Sequence, residues 1–120
     1  MIRRRPPDRR PSQTVAVVWT TEAGAHRFSV TAGYDPTDGR LCEVFYADGQ
    51  RAGSALQHSV QDACVLISIA LQHGVPLSGF AQSLGTVPVL GSMEPASPIG
   101  AIVRALSALE AEIIRATEGG

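Results

Sequence analysis

The chain has 120 residues, 44% of them hydrophobic and 18% charged, with a net charge of −1. That is about one domain, long enough to bury a single core. No apolar run approaches the roughly 18 residues of a membrane span, and Cys42 and Cys64 are too few for a disulfide scaffold or a four-thiolate zinc site. The opening "MIRRRPPDRRPSQ" is basic, but no apolar segment follows it, so it does not read as a secretory signal and the expected compartment is the cytoplasm. Charge is unevenly spread: residues 1–12 carry five arginines against Asp8, a net of +4, whereas the rest carries five arginines against ten acids, a net of −5.

Residues 1–12 hold three prolines and no apolar pattern, which predicts a flexible basic arm ahead of one domain over 13–118. From Thr14, "TVAVVWT" is β-branched and strand-like. After the turn "EAGA", "HRFSVTAGY" alternates, with Phe28, Val30, Ala32 and Tyr34 on one face and Arg27, Ser29 and Thr31 on the other. "DPTDG" is a turn in which Gly39 takes positive φ. "RLCEVFYA" is a third strand, with Cys42, Val44 and Tyr46 on one face and Leu41, Glu43 and Phe45 on the other.

A helix is predicted from Ser54, its N-cap, with Gln57 completing a capping box. Leu56, Val60, Ala63, Ile67, Ala70 and Leu71 form its stripe; Cys64, Leu66 and Ile69 widen it until the second half is apolar nearly all round. Gly74 and Pro76 end it. A short helix carries Leu77, Phe80, Ala81 and Leu84, and "TVPVLGSMEPA" reads as an irregular connection. Ser97 then caps a long helix with Pro98 at its first position, running to about Thr117 on a stripe of Ile99, Ile102, Val103, Leu106, Leu109 and Ile113. The fold class is therefore α+β: an antiparallel meander of about three strands followed by three helices packed on it.

Candidate chemistry is sparse. "DGQRAGS" sets Gly49, Arg51, Gly53 and Ser54 at a helix N-terminus, where backbone N–H groups can hold an anion, yet neither common phosphate-loop pattern is present. The competing reading is a plain turn and cap. Glu43 has no second carboxylate beside it for acid–base work, so a cross-strand pair with an arginine such as Arg27 is expected. His58 and His73 are about 22 Å apart along one helix and cannot share a metal in one chain; His73 suits the helix C-terminus. Cys64 and Cys42 read as small core residues. Arg3, Arg4, Arg5, Arg9 and Arg10 can meet phosphates of a nucleic acid, or dock on the domain or a partner.

The strings "PDRRPSQT", "DGRLCEVF" at 38–45, "AGS" at 52–54, "SIALQHGVPL" at 68–77 and "ASPIGAIVRAL" at 96–106 together resemble the TSCPD domain. That domain occurs at the C-terminus of adenosylcobalamin-dependent (class II) ribonucleotide reductases and as small free-standing proteins. The sequence departs from the family pattern: it has no C-x-x-C, no T-S-C-P-D string and no set of four cysteines, and 120 residues cannot hold the reductase barrel with its radical and cobalamin sites. The resemblance implies a free-standing, non-catalytic accessory module without cofactor or metal. It would bind a protein partner in nucleotide metabolism, such as a ribonucleotide reductase, and would not turn over ribonucleotides alone. The alternative is a nucleotide or nucleic-acid binder using the arm and the 49–54 loop. Both sheet faces are partly apolar, which predicts a homodimer closed over surfaces such as those of Phe45 and Ile113.

Overall fold

Alternation of branched and polar residues folds the first third of the domain into a meander. In a computed structural model that describes residues 3, 6, 10–47 and 55–119, β1 (Ser12–Thr21), β2 (Gly24–Tyr34) and β3 (Leu41–Tyr46) form an antiparallel sheet in the order β1-β2-β3. β1 and β2 run in unbroken register from Ser12↔Gly33 to Thr21↔Gly24. Their inward face carries Val17, Phe28, Val30 and Ala32, all buried. Trp19 and His26, directly opposite each other, stack at 5.1 Å. The other face of the sheet is open and carries Thr14 and Thr31, whose hydroxyls are 2.7 Å apart, together with Val18, Arg27 and Phe45.

The β2–β3 ladder contains a register shift between Gly33 and Tyr34, so that Gly33 opposes Glu43 while Tyr34 opposes Leu41. The expected two-residue alternation of β3 is therefore broken. Leu41 is buried in the core with Val44 and does not share the open face with Glu43 and Phe45. A bulge moves every residue beyond it to the opposite face, which accounts for the difference. The turn before β3 behaves as expected: Asp35 Oδ1 accepts the Thr37 N–H at 2.8 Å, and Gly39 takes φ +78°. A Cβ on Gly39 would also meet the Ile113 side chain at 3.2 Å.

α1 (Ala55–Gln72) runs beside β3, and α3 (Pro98–Gly119) packs under β1. α1 buries Val60, Ala63, Cys64 and Ile67 but leaves Leu56, Val65, Leu66 and Ile69 exposed, so its wide apolar stripe is covered on one side only. Its end is a Schellman motif: the Gly74 N–H bonds the Leu71 carbonyl, the Val75 N–H bonds the Ala70 carbonyl, and Gly74 has φ +88°. α2 (Leu77–Ala81) is short and seats Leu77 in the core. α3 starts as its cap residues predict, with the Gly100 N–H bonded to Ser97 Oγ at 3.1 Å. It buries Ile102, Val103, Leu106, Leu109 and Ile113, while Ile99 is exposed. Ile113, expected at a subunit surface, is thus a core residue.

The stretch expected to be an irregular connection is a second, separate sheet. β4 (Thr86–Val89) and β5 (Ser92–Pro95) pair from Thr86↔Pro95 to Val89↔Ser92 across a two-residue turn. Leu90 (φ +49°) and Gly91 (φ +86°) supply the two positive φ values of a type I′ turn. A leucine is an unusual occupant of the first of these positions, and Leu90 is 95% exposed, so no packing within the domain offsets its strain. Leu90→Asn is therefore expected to stabilise the protein by about 1 kcal/mol. The measurement is a urea titration; a midpoint that does not rise would show that the turn is not strained.

Candidate functional site

The two most family-like strings meet along one seam, where α1 lies against the outer edge of β3. An edge strand leaves every second residue's N–H and C=O unpaired. Here α1 supplies the missing partners from its side chains. The Val44 N–H donates to Ser68 Oγ at 2.8 Å. The Ser68 hydroxyl has one proton and two carbonyls in reach, Cys64 at 2.8 Å and Val44 at 3.2 Å. One turn on, Gln72 Nε2 donates to the Cys42 carbonyl at 2.9 Å. Gln72 is 5% exposed, and its amide oxygen accepts Arg3 Nε.

Glu43 sits on the same strand, buried, with Arg10 Nε as its ion-pair partner. The expected partner was Arg27. Arg27 stands opposite Val18 on β1, outside the β2–β3 ladder that holds Glu43, whereas Arg10 lies two residues ahead of β1. Gly33 makes the arrangement possible, since a Cβ there would lie 2.6 Å from Glu43 Oε2. The described arginines of the N-terminal segment, Arg3 and Arg10, thus both bond residues of the seam. Arg4, Arg5 and Arg9 lie outside the described residues, as do Gly49, Arg51, Gly53 and Ser54 of the candidate anion loop.

Two concavities flank Gln72. One is a cleft of about 240 Å³ lined by Asp35, Arg40, Cys42, His73 and Glu110 together with the Gly74–Leu77 stretch. Three of its polar side chains bond backbone. Glu110 Oε2 accepts the Leu41 N–H at 2.9 Å, the Cys42 thiol faces the Gly33 carbonyl at 3.5 Å, and His73 Nδ1 donates to the Ile69 carbonyl at 2.9 Å. The other is a shallow groove of about 230 Å³ between Phe45 and Glu43 on β3 and Val65 and Ile69 on α1. Phe45 is 52% exposed, Val65 56% and Leu66 68%, and Ile69 extends the same strip at helical spacing.

The histidines are far apart along the chain's elements: His26 on β2 against Trp19, His58 early in α1, and His73 directly after the last residue of α1. Among the described residues no three side chains of His, Cys, Asp or Glu converge on a point, and no helix is long and apolar enough to cross a membrane. Cys64 is a core residue, as its place in the stripe predicted. Sequence reasoning did not single out Ser68, Gln72 or Glu110. The available signal was the polar pair Ser68 and Gln72, one turn apart on a helix half that is otherwise apolar.

Residues 3–110 match the TSCPD domain. The chain belongs to the TSCPD domain family. A relative is the vitamin B12-dependent ribonucleotide reductase of Bradyrhizobium diazoefficiens, 34% identical over 98 residues. Those residues are 81% of this chain but 7% of the reductase, so the chain corresponds to a small part of that enzyme. No solved structure matches.

Two measurements test the seam of this TSCPD domain. Gln72→Leu removes the donor to the Cys42 carbonyl while keeping the bulk, and is expected to cost about 1–3 kcal/mol by leaving a buried polar group unpaired; denaturant unfolding reads this directly. Burial pushes the Cys64 thiol up from 9.0 to about 11. The unfolded chain then loses its proton near pH 9 while the folded one keeps it to about pH 11, so the folded state binds more protons in between. Stability should fall as pH rises through that window, by at most about 1.4 kcal/mol per unit from this group. Cys64→Ala should remove that part of the slope, and an unchanged slope would show that the thiol is not buried as described.

Proposed function

We propose that this TSCPD domain is a free-standing, non-catalytic accessory module that docks on a protein partner in nucleotide metabolism, with a B12-dependent ribonucleotide reductase as the first candidate. The observation that carries the reading is the exposed apolar strip of Phe45, Val65, Leu66 and Ile69 beside the Arg10–Glu43 pair. Contiguous exposed apolar surface next to fixed polar groups is the usual make-up of a protein-binding patch. The kinship supports the same reading, because what is shared with the reductase is a short segment of it. The cleft beside Gln72 supports it as well: Glu110, Cys42 and His73 each bond backbone of the domain, an arrangement that serves the fold.

The second reading, nucleic-acid binding through the arm and the 49–54 loop, has less behind it. Arg3 bonds Gln72 and Arg10 pairs with Glu43, which directs both guanidinium groups toward the domain. In the favoured reading the module works in the cytoplasm alongside its partner, needs no cofactor, and is inert toward ribonucleotides alone.

The test is binding of the purified chain to a purified B12-dependent reductase, followed by sedimentation or titration calorimetry. Phe45→Glu and Leu66→Glu should each weaken the complex by about tenfold or more, the loss expected when a central apolar contact is replaced by a buried unpaired charge. Both positions are exposed in the free domain, so the variants should keep its fold. Absence of binding, or binding indifferent to both changes, would refute this reading for that partner.

A further inference from the structure

The two edges of the main sheet are treated differently by the chain. The β3 edge is occupied by Ser68 and Gln72. The β1 edge has no such cover among the described residues. The direction of its free groups follows from the register. The Ser29 carbonyl bonds the Ala47 N–H on the β3 side, so odd-numbered residues of β2 face β3 and even-numbered ones face β1. Phe28 and Val30 stand opposite Val17 and Val15, which therefore turn inward to β2. The N–H and C=O groups of Thr14, Ala16, Val18 and Thr20 then point outward. β5 approaches β1 but belongs to a separate sheet and shares no ladder with it.

A ten-residue strand of this kind would span about 33 Å. Natural edges are commonly blunted by lysine, proline, an inward charge or a bulge. The sequence SQTVAVVWTT has none of these residues, and its register with β2 is unbroken. Val18, at the middle of the edge, is 40% exposed.

We infer that β1 pairs with β1 of a second copy of this chain, antiparallel about a two-fold axis at Val17, making one six-stranded sheet. A second copy is the occupant that the edge itself specifies. Thr14, Ala16, Val18 and Thr20 are symmetric about Val17, so the two-fold sets Thr14 opposite Thr20 and Ala16 opposite Val18 of the mate. The outward donors of these four residues then each meet an acceptor, about eight hydrogen bonds in all. On the open face hydroxyl meets hydroxyl and a small residue meets a larger one; on the inner face Val15 meets Trp19. The strand has no charged side chain, so identical copies do not repel, and nothing on it would select a partner by charge. The inference is independent of the partner-binding reading, which uses Phe45 and α1 on the other side of the sheet.

Sedimentation equilibrium of the whole chain at micromolar concentration is the test. The expected mass is twice 12.6 kDa. Ala16→Pro removes an outward N–H that no described residue accepts, a substitution tolerated on an edge strand, and should bring the mass to that of one chain with unchanged circular dichroism. Phe45→Glu should leave the dimer intact, which separates this interface from the partner patch. A wild-type mass of one chain overturns the inference, and so does a dimer that folded Ala16→Pro leaves unaltered. Should Ala16→Pro fail to fold, amide exchange of the wild type decides. The Ala16 and Val18 N–H groups should slow by about tenfold or more as concentration is raised, and equal, rapid exchange throughout overturns the pairing.

Discussion

The structure depends on how one short strand satisfies its backbone. β3 has six residues and a partner on one side only. A fourth strand would be the common way to complete it. Here a helix does so with two side chains, the Ser68 hydroxyl and the Gln72 amide, spaced one turn apart so that they meet alternate residues of β3. Helix and strand repeats coincide there: four helical residues rise about 6 Å, close to the roughly 6.6 Å of two strand residues. Ser68 and Gln72 use that match, while Val65 and Ile69, each one residue further round the helix from the buried Cys64 and from Ser68, face solvent.

The Gly33–Glu43–Arg10 group solves a second problem created by the same strand. The register shift at Gly33 and Tyr34 turns Leu41 into the core and leaves Glu43 against the backbone of β2. A buried carboxylate is costly unless a cation and hydrogen-bond donors meet it. Arg10 does so from the residues leading into β1, which ties the N-terminal segment to the sheet beyond the Tyr34 N–H bond to the Pro11 carbonyl. Arg3 repeats the arrangement at Gln72. Of the roles left open for the arm's charge by the sequence, docking on the domain is the one seen at these two positions.

What could be read from the sequence follows from which signals are local. Alternation in β1 and β2, the Gly74-Val75-Pro76 stop and the Ser97-Pro98 start depend on neighbours a few residues away, and all appear in the structure. The β4–β5 hairpin was not legible because its sequence contradicts it. Pro88 lies inside a strand and Leu90 occupies a turn position that normally calls for asparagine or glycine. The burial of Leu41 was hidden because a bulge leaves no mark in a two-residue alternation. The partner of Glu43 was hidden because the pair joins positions 33 residues apart. Ser68 and Gln72 were visible as polar interruptions of an apolar helix half, but only the strand beside them gives those interruptions a purpose.

This bears on what the family resemblance means. The strings "DGRLCEVF" and "SIALQHGVPL" are the two sides of the β3–α1 seam, and apart from Glu43 with Arg10 and the Gln72 oxygen with Arg3, the identified side-chain bonds in them are to backbone, among them Ser68 to Val44, Gln72 to Cys42 and His73 to Ile69. The resemblance therefore reports an architecture more than a chemistry. A seam of this kind is demanding, since each side chain must reach a specific carbonyl or N–H, and few residue types of the right length can replace it. Surfaces that meet a partner carry no such internal constraint. Phe45 and Leu66 could be polar without disturbing any bond described in the domain, yet they are large, apolar and exposed. No bond described in the fold calls for them, and this is the ground on which the docking proposal rests.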